Sequence, residues 1–171
     1  RRRHTRYISV TGVQTCALPI YNLKITDMQA ACALAQMDSL KLFIAKRRAN
    51  FSYLKAKLAS VAEFLQLPES TPHSEPSWFG FPLVVKESAG VKRSDLINFL
   101  EQNKIGTRLL FAGNLIKQPY MNGRNYRVSG TMTNTDIVMN QTFWLGTFPA
   151  LGTEELDYVV EKLEEFFGIG F

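Results

Sequence analysis

The sequence predicts an α+β domain in which helices pack on a small sheet. Three observations carry this. Segments of helical period and short branched or aromatic segments follow one another in the order helix, helix, strand, helix, strand, helix, strand, helix. Pro68, Pro72 and Pro76 separate the first two helices from everything after them. No internal repeat or low-complexity tract interrupts the series.

The first helix is marked by Thr26 and Gln29, a Thr-x-x-Gln capping box that precedes the Ala-rich run 30–35 and starts the helix at Asp27. Asp38 and Ser39 can cap a new turn. After them Leu40, Ile44, Phe51, Leu54, Leu58 and Val61 recur at 3–4 spacing, interrupted by Arg47, which predicts a core-facing helix of about six turns. The prolines exclude helix beyond it, because each lacks an amide donor and fixes its own φ.

Residues 78–85 are aromatic and branched and read as a strand, with Pro82 suggesting an edge or a bulge. A short helix capped at Ser94 carries Leu96, Phe99 and Leu100 and ends near Gly106, and residues 107–111 then form a second strand. Residues 134–140 read as another short helix and 142–148 as a third strand. The closing helix, 153–167, has Glu154 and Glu155 in its first turn, where they favour the dipole, and Leu156, Val159, Val160 and Leu163 on one face.

The 171 residues carry a net charge of +5 and a pI near 9.3, which would suggest a nucleic-acid or anionic-membrane surface. Its distribution removes that reading. Arg1, Arg2, Arg3 and Arg6 supply four of the 20 Lys and Arg, and the first twenty residues hold no acid. Residues 21–171 therefore balance 16 basic side chains against 15 acidic ones. Neither nucleic acid nor membrane is an expected partner. The two cysteines, Cys16 and Cys32, cannot supply a four-thiolate metal site or a secreted disulfide framework, so no metal site is expected. A reducing cytoplasm fits them best. Residues 1–20 lack the continuous apolar segment of a signal peptide.

No Gly-rich phosphate loop or nucleophile–base–acid set can be read from the spacing. His73, among the prolines, reads as an exposed loop histidine. Two polar segments stand out. Residues 21–27 place Asn22 and Lys24 just before a helix N-terminus, where amide donors can meet an anion. Residues 106–115 place Arg108 on a strand ahead of Phe111 and a Gly113–Asn114 turn, a combination that suits the edge of a carboxylate or phosphate pocket. By spacing alone a structural cap and a surface arginine with turn residues are the better account of them.

The run Tyr21-Asn22-Leu23-Lys24-Ile25-Thr26-Asp27-Met28-Gln29-Ala30-Ala31, with Leu34 to Met37, Phe43, Ile44, Arg47 and Arg48, resembles the DegT/DnrJ/EryC1/StrS family. Phe148-Pro149 and Thr153 to Val159 are similar to that family's last helix. The resemblance covers 21–171 and implies fold-type-I pyridoxal-phosphate enzymes acting on nucleotide-linked sugars, with 21–65 as helices linking a large and a small domain and 66–171 as the C-terminal small domain. Residues 1–20 do not share it; they resemble translated adapter sequence and are expected to be foreign to the fold.

Ser77 to Pro82 and Asn134 to Trp144 are similar to one branch of the family, the 3-dehydrases that remove the C-3 hydroxyl of CDP-4-keto-6-deoxyglucose in lipopolysaccharide synthesis. That resemblance implies a homodimer, pyridoxal or pyridoxamine 5'-phosphate, a [2Fe-2S] cluster and an iron-sulfur flavin reductase partner. The catalytic histidine and the cluster ligands lie upstream of Tyr21 in the family, so no catalytic residue is expected here and the fragment alone should be inactive. Asn22 and Lys24 are implied to bind cofactor phosphate, Asn22 across the dimer interface. Arg108, Phe111 and Asn114 are implied on the sugar-nucleotide side. The alternative chemistry is a sugar aminotransferase of the same family; a free-standing RNA-binding module and a ligand-free structural subunit are the readings from other classes.

Overall fold

The computed structural model describes residues 25–170. They fall into two compact units that divide after Lys41. The first contains helix α1 (Asp27–Met37), whose capping box forms as the sequence predicts. The Thr26 amide donates to Gln29 Oε1 at 2.8 Å, and the Gln29 amide donates to Thr26 Oγ1 at 3.2 Å. None of its residues is buried within the chain, and Met28 and Leu34 are 79% and 72% exposed, so cap and alanine propensity rather than packing account for the helix.

The second unit begins inside α2 (Leu40–Lys57), which tightens into a 3₁₀ turn, Leu58–Val61. The predicted stripe is buried from Phe51 to Val61, but Leu40 at its start is 42% exposed, and its last turn is not α-helical. The chain then makes a strand the sequence did not announce, β1 (Leu65–Gln66). Two residues are too short for an alternation to register.

Residues 67–79 form the irregular proline connection, and α2 holds it. Arg48 Nε donates to the Pro76 carbonyl at 3.3 Å, and the same guanidinium reaches the Glu75 carbonyl and carboxylate. Arg47 Nη1 donates to the carbonyls of Trp78 and Phe79 at 3.4 and 3.3 Å. Trp78 stacks on Phe51 with ring centroids 4.2 Å apart. These contacts explain why an arginine interrupts the apolar stripe. They also explain why the strand starts at Gly80 and not at Trp78, since the carbonyls before it are already used.

β2 (Gly80–Val85), β3 (Thr107–Leu109) and β4 (Thr142–Gly146) complete an antiparallel sheet of order β1-β2-β4-β3. Both β3 and β4 stop two residues short of their predicted ends. β1 pairs only with Val84 and Val85, so β2 is open on that side at Pro82, consistent with the predicted edge. Alternation buries Phe81, Leu83 and Val85 on one face of β2. The register sets Phe81 opposite Leu145 and Leu83 opposite Phe143.

Helices α3 (Arg93–Gln102) and α5 (Thr153–Phe167) supply Leu96, Leu100, Leu156, Val160 and Leu163 to the same core. The cap of α3 is a correction: Lys92 occupies the N-cap position without a side-chain bond, and Ser94 lies inside the helix with its hydroxyl donating to Asp95. α5 is tied to α2 by the Tyr53 hydroxyl, which donates to Asp157 Oδ1 at 2.7 Å beside Lys57 at 3.3 Å. A fourth helix in chain order before α5, α4 (Thr133–Gln141), runs straight into β4. The observed class is the predicted one, α+β. Among the described residues no helix is long and apolar enough to cross a membrane.

Leu163→Ala empties a fully buried core site on α5; urea unfolding should show a loss of about 2–5 kcal/mol.

Candidate functional site

The register that buries Phe81 and Leu83 turns the alternate residues to the opposite side of the sheet. Trp144 there stands opposite Pro82 on β2 and opposite Arg108 on β3. Its ring lies over Gly80: a Cβ at that position would come 1.9 Å from Trp144 Cε3. Phe79 packs against the same indole with centroids 5.0 Å apart, and the Arg47 guanidinium sits 6.0 Å from the Phe79 ring centre. Phe79 remains 68% exposed. Arg108 has no hydrogen-bond or ion-pair partner among the described residues, and it is exposed. An unengaged guanidinium beside aromatic faces can take an anion bidentately while a planar group stacks next to it.

Immediately after β3 the chain turns through residues 110–118. The Leu109 carbonyl accepts both Trp144 Nε1–H at 3.1 Å and the Phe111 amide at 2.8 Å, which ties the turn to the tryptophan. Phe111 takes a left-handed conformation (φ 49°) and is 82% exposed. Such a backbone is uncommon for a bulky non-glycine residue.

Asn114 is placed differently from Arg108 and Phe111. It is only 2% exposed, and its amide is engaged within the protein. Its Nδ2 donates to Asp136 Oδ1 at 2.7 Å, and its Oδ1 accepts from the Ile116 amide at 3.2 Å. Lys117 Nζ also reaches Asp136 Oδ1 at 2.7 Å, and Gln118 Nε2 donates to the Ala112 carbonyl at 2.6 Å. The donation from Lys117, then that from Asn114, holds the Asp136 carboxyl below its ordinary range. Arg93 anchors the other end of α4: its Nη1 donates to the Met139 and Thr142 carbonyls at 2.6 and 3.1 Å, and burial lowers its pKa. A cation at these last carbonyls also favours the α4 dipole.

Of the predicted residues, the structure thus gathers Arg108 and Phe111 at one exposed edge and turns Asn114 inward. Asn22 and Lys24 lie outside the described residues, as do Cys16 and the 1–20 segment. His73 is exposed, as expected. Phe79, Trp144 and Asp136 were missed as site residues although they stand in the motifs that carried the resemblance. Asp136 could not be found by spacing, since its partners are about twenty residues away. A separate apolar cleft of about 540 Å³ lies among Ile105, Leu145, Phe148, Leu156 and Tyr158; none of Arg108, Phe111 and Asn114 lines it. No group of acidic, histidine or cysteine side chains among the described residues could hold a metal ion.

The sequence matches the DegT/DnrJ/EryC1/StrS aminotransferase family over residues 2–164, a span that takes in most of the 1–20 segment expected to stand outside the resemblance. The chain belongs to this family. It is 64% identical over 151 residues to the lipopolysaccharide biosynthesis protein RfbH of Salmonella typhimurium, covering 88% of this chain and 35% of that protein. It is 47% identical over 146 residues to a dTDP-4-dehydro-2,6-dideoxy-D-glucose 3-dehydratase of Saccharopolyspora spinosa, covering 85% of this chain and 31% of that enzyme. The chain therefore spans about a third of the length of these relatives. Among solved structures, Escherichia coli GDP-4-keto-6-deoxy-D-mannose-3-dehydratase with bound hydrated PLP superposes with a TM-score of 0.69 at 28% identity, covering 76% of this chain and 33% of that one. DesV of S. venezuelae shares the fold, with a TM-score of 0.70 at 19% identity over 86% of this chain and 38% of its own. The predicted family and the fold of its pyridoxal-phosphate enzymes are both borne out.

The family member's Asp136 carboxyl gives a pH signature. Its depressed pKa means that the contribution to order in the 110–118 turn is complete above the ordinary aspartate value and is lost as pH falls through the lower, folded value. Carbon-detected NMR titration should find the Asp136 midpoint below that of free aspartate, and Lys117→Met should move it upward.

Proposed function

We propose that this chain is the C-terminal third of a nucleotide-sugar 3-dehydratase that acts on CDP-4-keto-6-deoxyglucose in the making of a dideoxysugar for lipopolysaccharide. The observation that carries this is the 64% identity to a lipopolysaccharide biosynthesis protein together with 47% identity to a sugar 3-dehydratase. The exposed, unengaged Arg108 supports a diphosphate ligand, since its planar fork matches two phosphate oxygens. Phe111, Phe79 and Trp144 offer the apolar faces that a base or sugar ring packs against. On this reading Asn114 serves by holding the turn and not by touching substrate.

Pyridoxamine phosphate, when bound, supplies an amine for the sugar ketone and a sink for electrons released as the hydroxyl leaves. Asn22 and Lys24 are our candidates for its phosphate, with Asn22 reaching into the other subunit of a homodimer. A [2Fe-2S] cluster does not fit the described residues, where Cys32 is the free cysteine and no ligand cluster exists. We route no step through it, and a reductase partner belongs to the longer protein. Residues 21–65 would link the two domains, with 66–171 as the smaller one, in the cytoplasm.

Two measurements test the reading. The coding sequence upstream of Tyr21 should specify histidine where aminotransferases of the family carry their cofactor-binding lysine; a lysine would transfer the chain to the aminotransferases. Mixed with pyridoxal phosphate, the chain alone should give no stoichiometric chromophore, because Asn22 and Lys24 form only one wall of a cofactor site; a stoichiometric absorbance band would contradict this assignment.

A further inference from the structure

Three features outside the proposed ligand contacts are candidates for a role of their own: the apolar cleft near Phe148, the exposed apolar residues of α1, and the polar cluster under the 110–118 turn. Nothing in the structure says what covers the first two. The third is built from several independent contacts that converge on one carboxylate.

We propose that Asp136 is a positioning residue: through Asn114 and Lys117 it latches the 110–118 turn onto α4 and so holds Phe111 in place beside Arg108 for nucleotide binding. The inference rests on the nucleotide-sugar reading above and adds to it a residue that makes no ligand contact.

The geometry supports the latch at three points. Asp136 Oδ1 receives Asn114 Nδ2 and Lys117 Nζ, each at 2.7 Å, so one oxygen of α4 gathers two residues of the turn. Asn114 passes the constraint on, since its Oδ1 accepts the Ile116 amide. Gly113 provides the fit between backbone and helix. Its φ is +62°, and a Cβ there would lie 2.7 Å from Met139 Cβ and 2.9 Å from Met139 Cα. Only glycine lets the turn approach α4 this closely in this conformation.

Fixing the turn matters because the Phe111 amide bond to the Leu109 carbonyl holds the backbone on the β3 side alone and does not hold the ring. The Phe111 ring is 82% exposed, and its left-handed backbone is disfavoured for an aromatic residue. Released from α4, the turn would relax into more favourable conformations and the ring would sample many positions. A ligand would then bear the entropic penalty of ordering it. The charge-assisted bonds to Asp136 meet that penalty within the protein before binding.

The test uses the full chain, amide hydrogen exchange and calorimetric binding of CDP. Asp136→Ala should speed exchange of the Ile116 amide about tenfold and weaken CDP binding by about the same factor, while amides in β2 and β4 keep their protection. Asp136→Asn, which keeps an acceptor for Asn114 Nδ2 but loses the charge facing Lys117, should fall between Asp136→Ala and the parent chain on both measures. Asp157→Ala, which removes the surface partner of Tyr53 and Lys57, serves as the control for general destabilisation and should alter neither. Unchanged exchange at Ile116 in Asp136→Ala overturns the latch. A loosened turn with unchanged CDP affinity overturns its positioning role. If the parent chain binds no CDP while Asp136→Ala still frees the turn, the nucleotide reading fails, and with it the assignment of what the latch positions.

Discussion

The antiparallel pairing of β2 with β4 fixes both the core and the candidate site. With Phe81 opposite Leu145 and Leu83 opposite Phe143, four large apolar side chains meet on one face, where α3 and α5 cover them. The same register leaves Pro82, Trp144 and Arg108 side by side on the other face. A slip of one residue would exchange the two sets, burying a guanidinium and exposing the core. The position of Arg108 is thus a by-product of hydrophobic burial, and burial is what makes it dependable.

Arginine does most of the remaining organisation, in two ways. Arg47, Arg48 and Arg93 spend their donors on backbone carbonyls, the first two along the proline connection and the third at the end of α4. The carbonyls of the proline connection lie outside regular ladders, and a guanidinium with five donors can satisfy several at once. Arg108 differs in having no such partner among the described residues. The contrast separates structural cations from one available to a ligand, and charge counting cannot make that separation.

Beyond β3, polar bonds replace apolar packing as the organising force. Residues 110–118 bury Asn114 but expose Phe111 and Leu115, so the turn is inverted relative to a normal core segment. On the proposed reading, a segment that hides its amide and displays its aromatic ring offers that ring to the nucleotide. The likeness to nucleotide-sugar enzymes three times as long gives that contact a chemical setting.

Residues 25–170 show how far the sequence reaches by itself. Local chemistry determined what depends on neighbours in the chain: the Thr26–Gln29 cap, the 3–4 spacing of Leu54, Leu58 and Val61, the alternation of β2, and the amphipathic α5. It also determined the family, because the motifs at 21–31 and 77–82 are contiguous. Lys92 rather than Ser94 takes the N-cap position of α3. The extra strand Leu65–Gln66 and the early ends of β3 and β4 were not legible, since partners distant in sequence set them. For the same reason the sequence could name Arg108, Phe111 and Asn114 together but could not divide their roles. Only the tertiary structure decided that Arg108 faces outward opposite Trp144 and that Asn114 turns inward to Asp136, because strand register and the approach of α4 select the direction of each side chain.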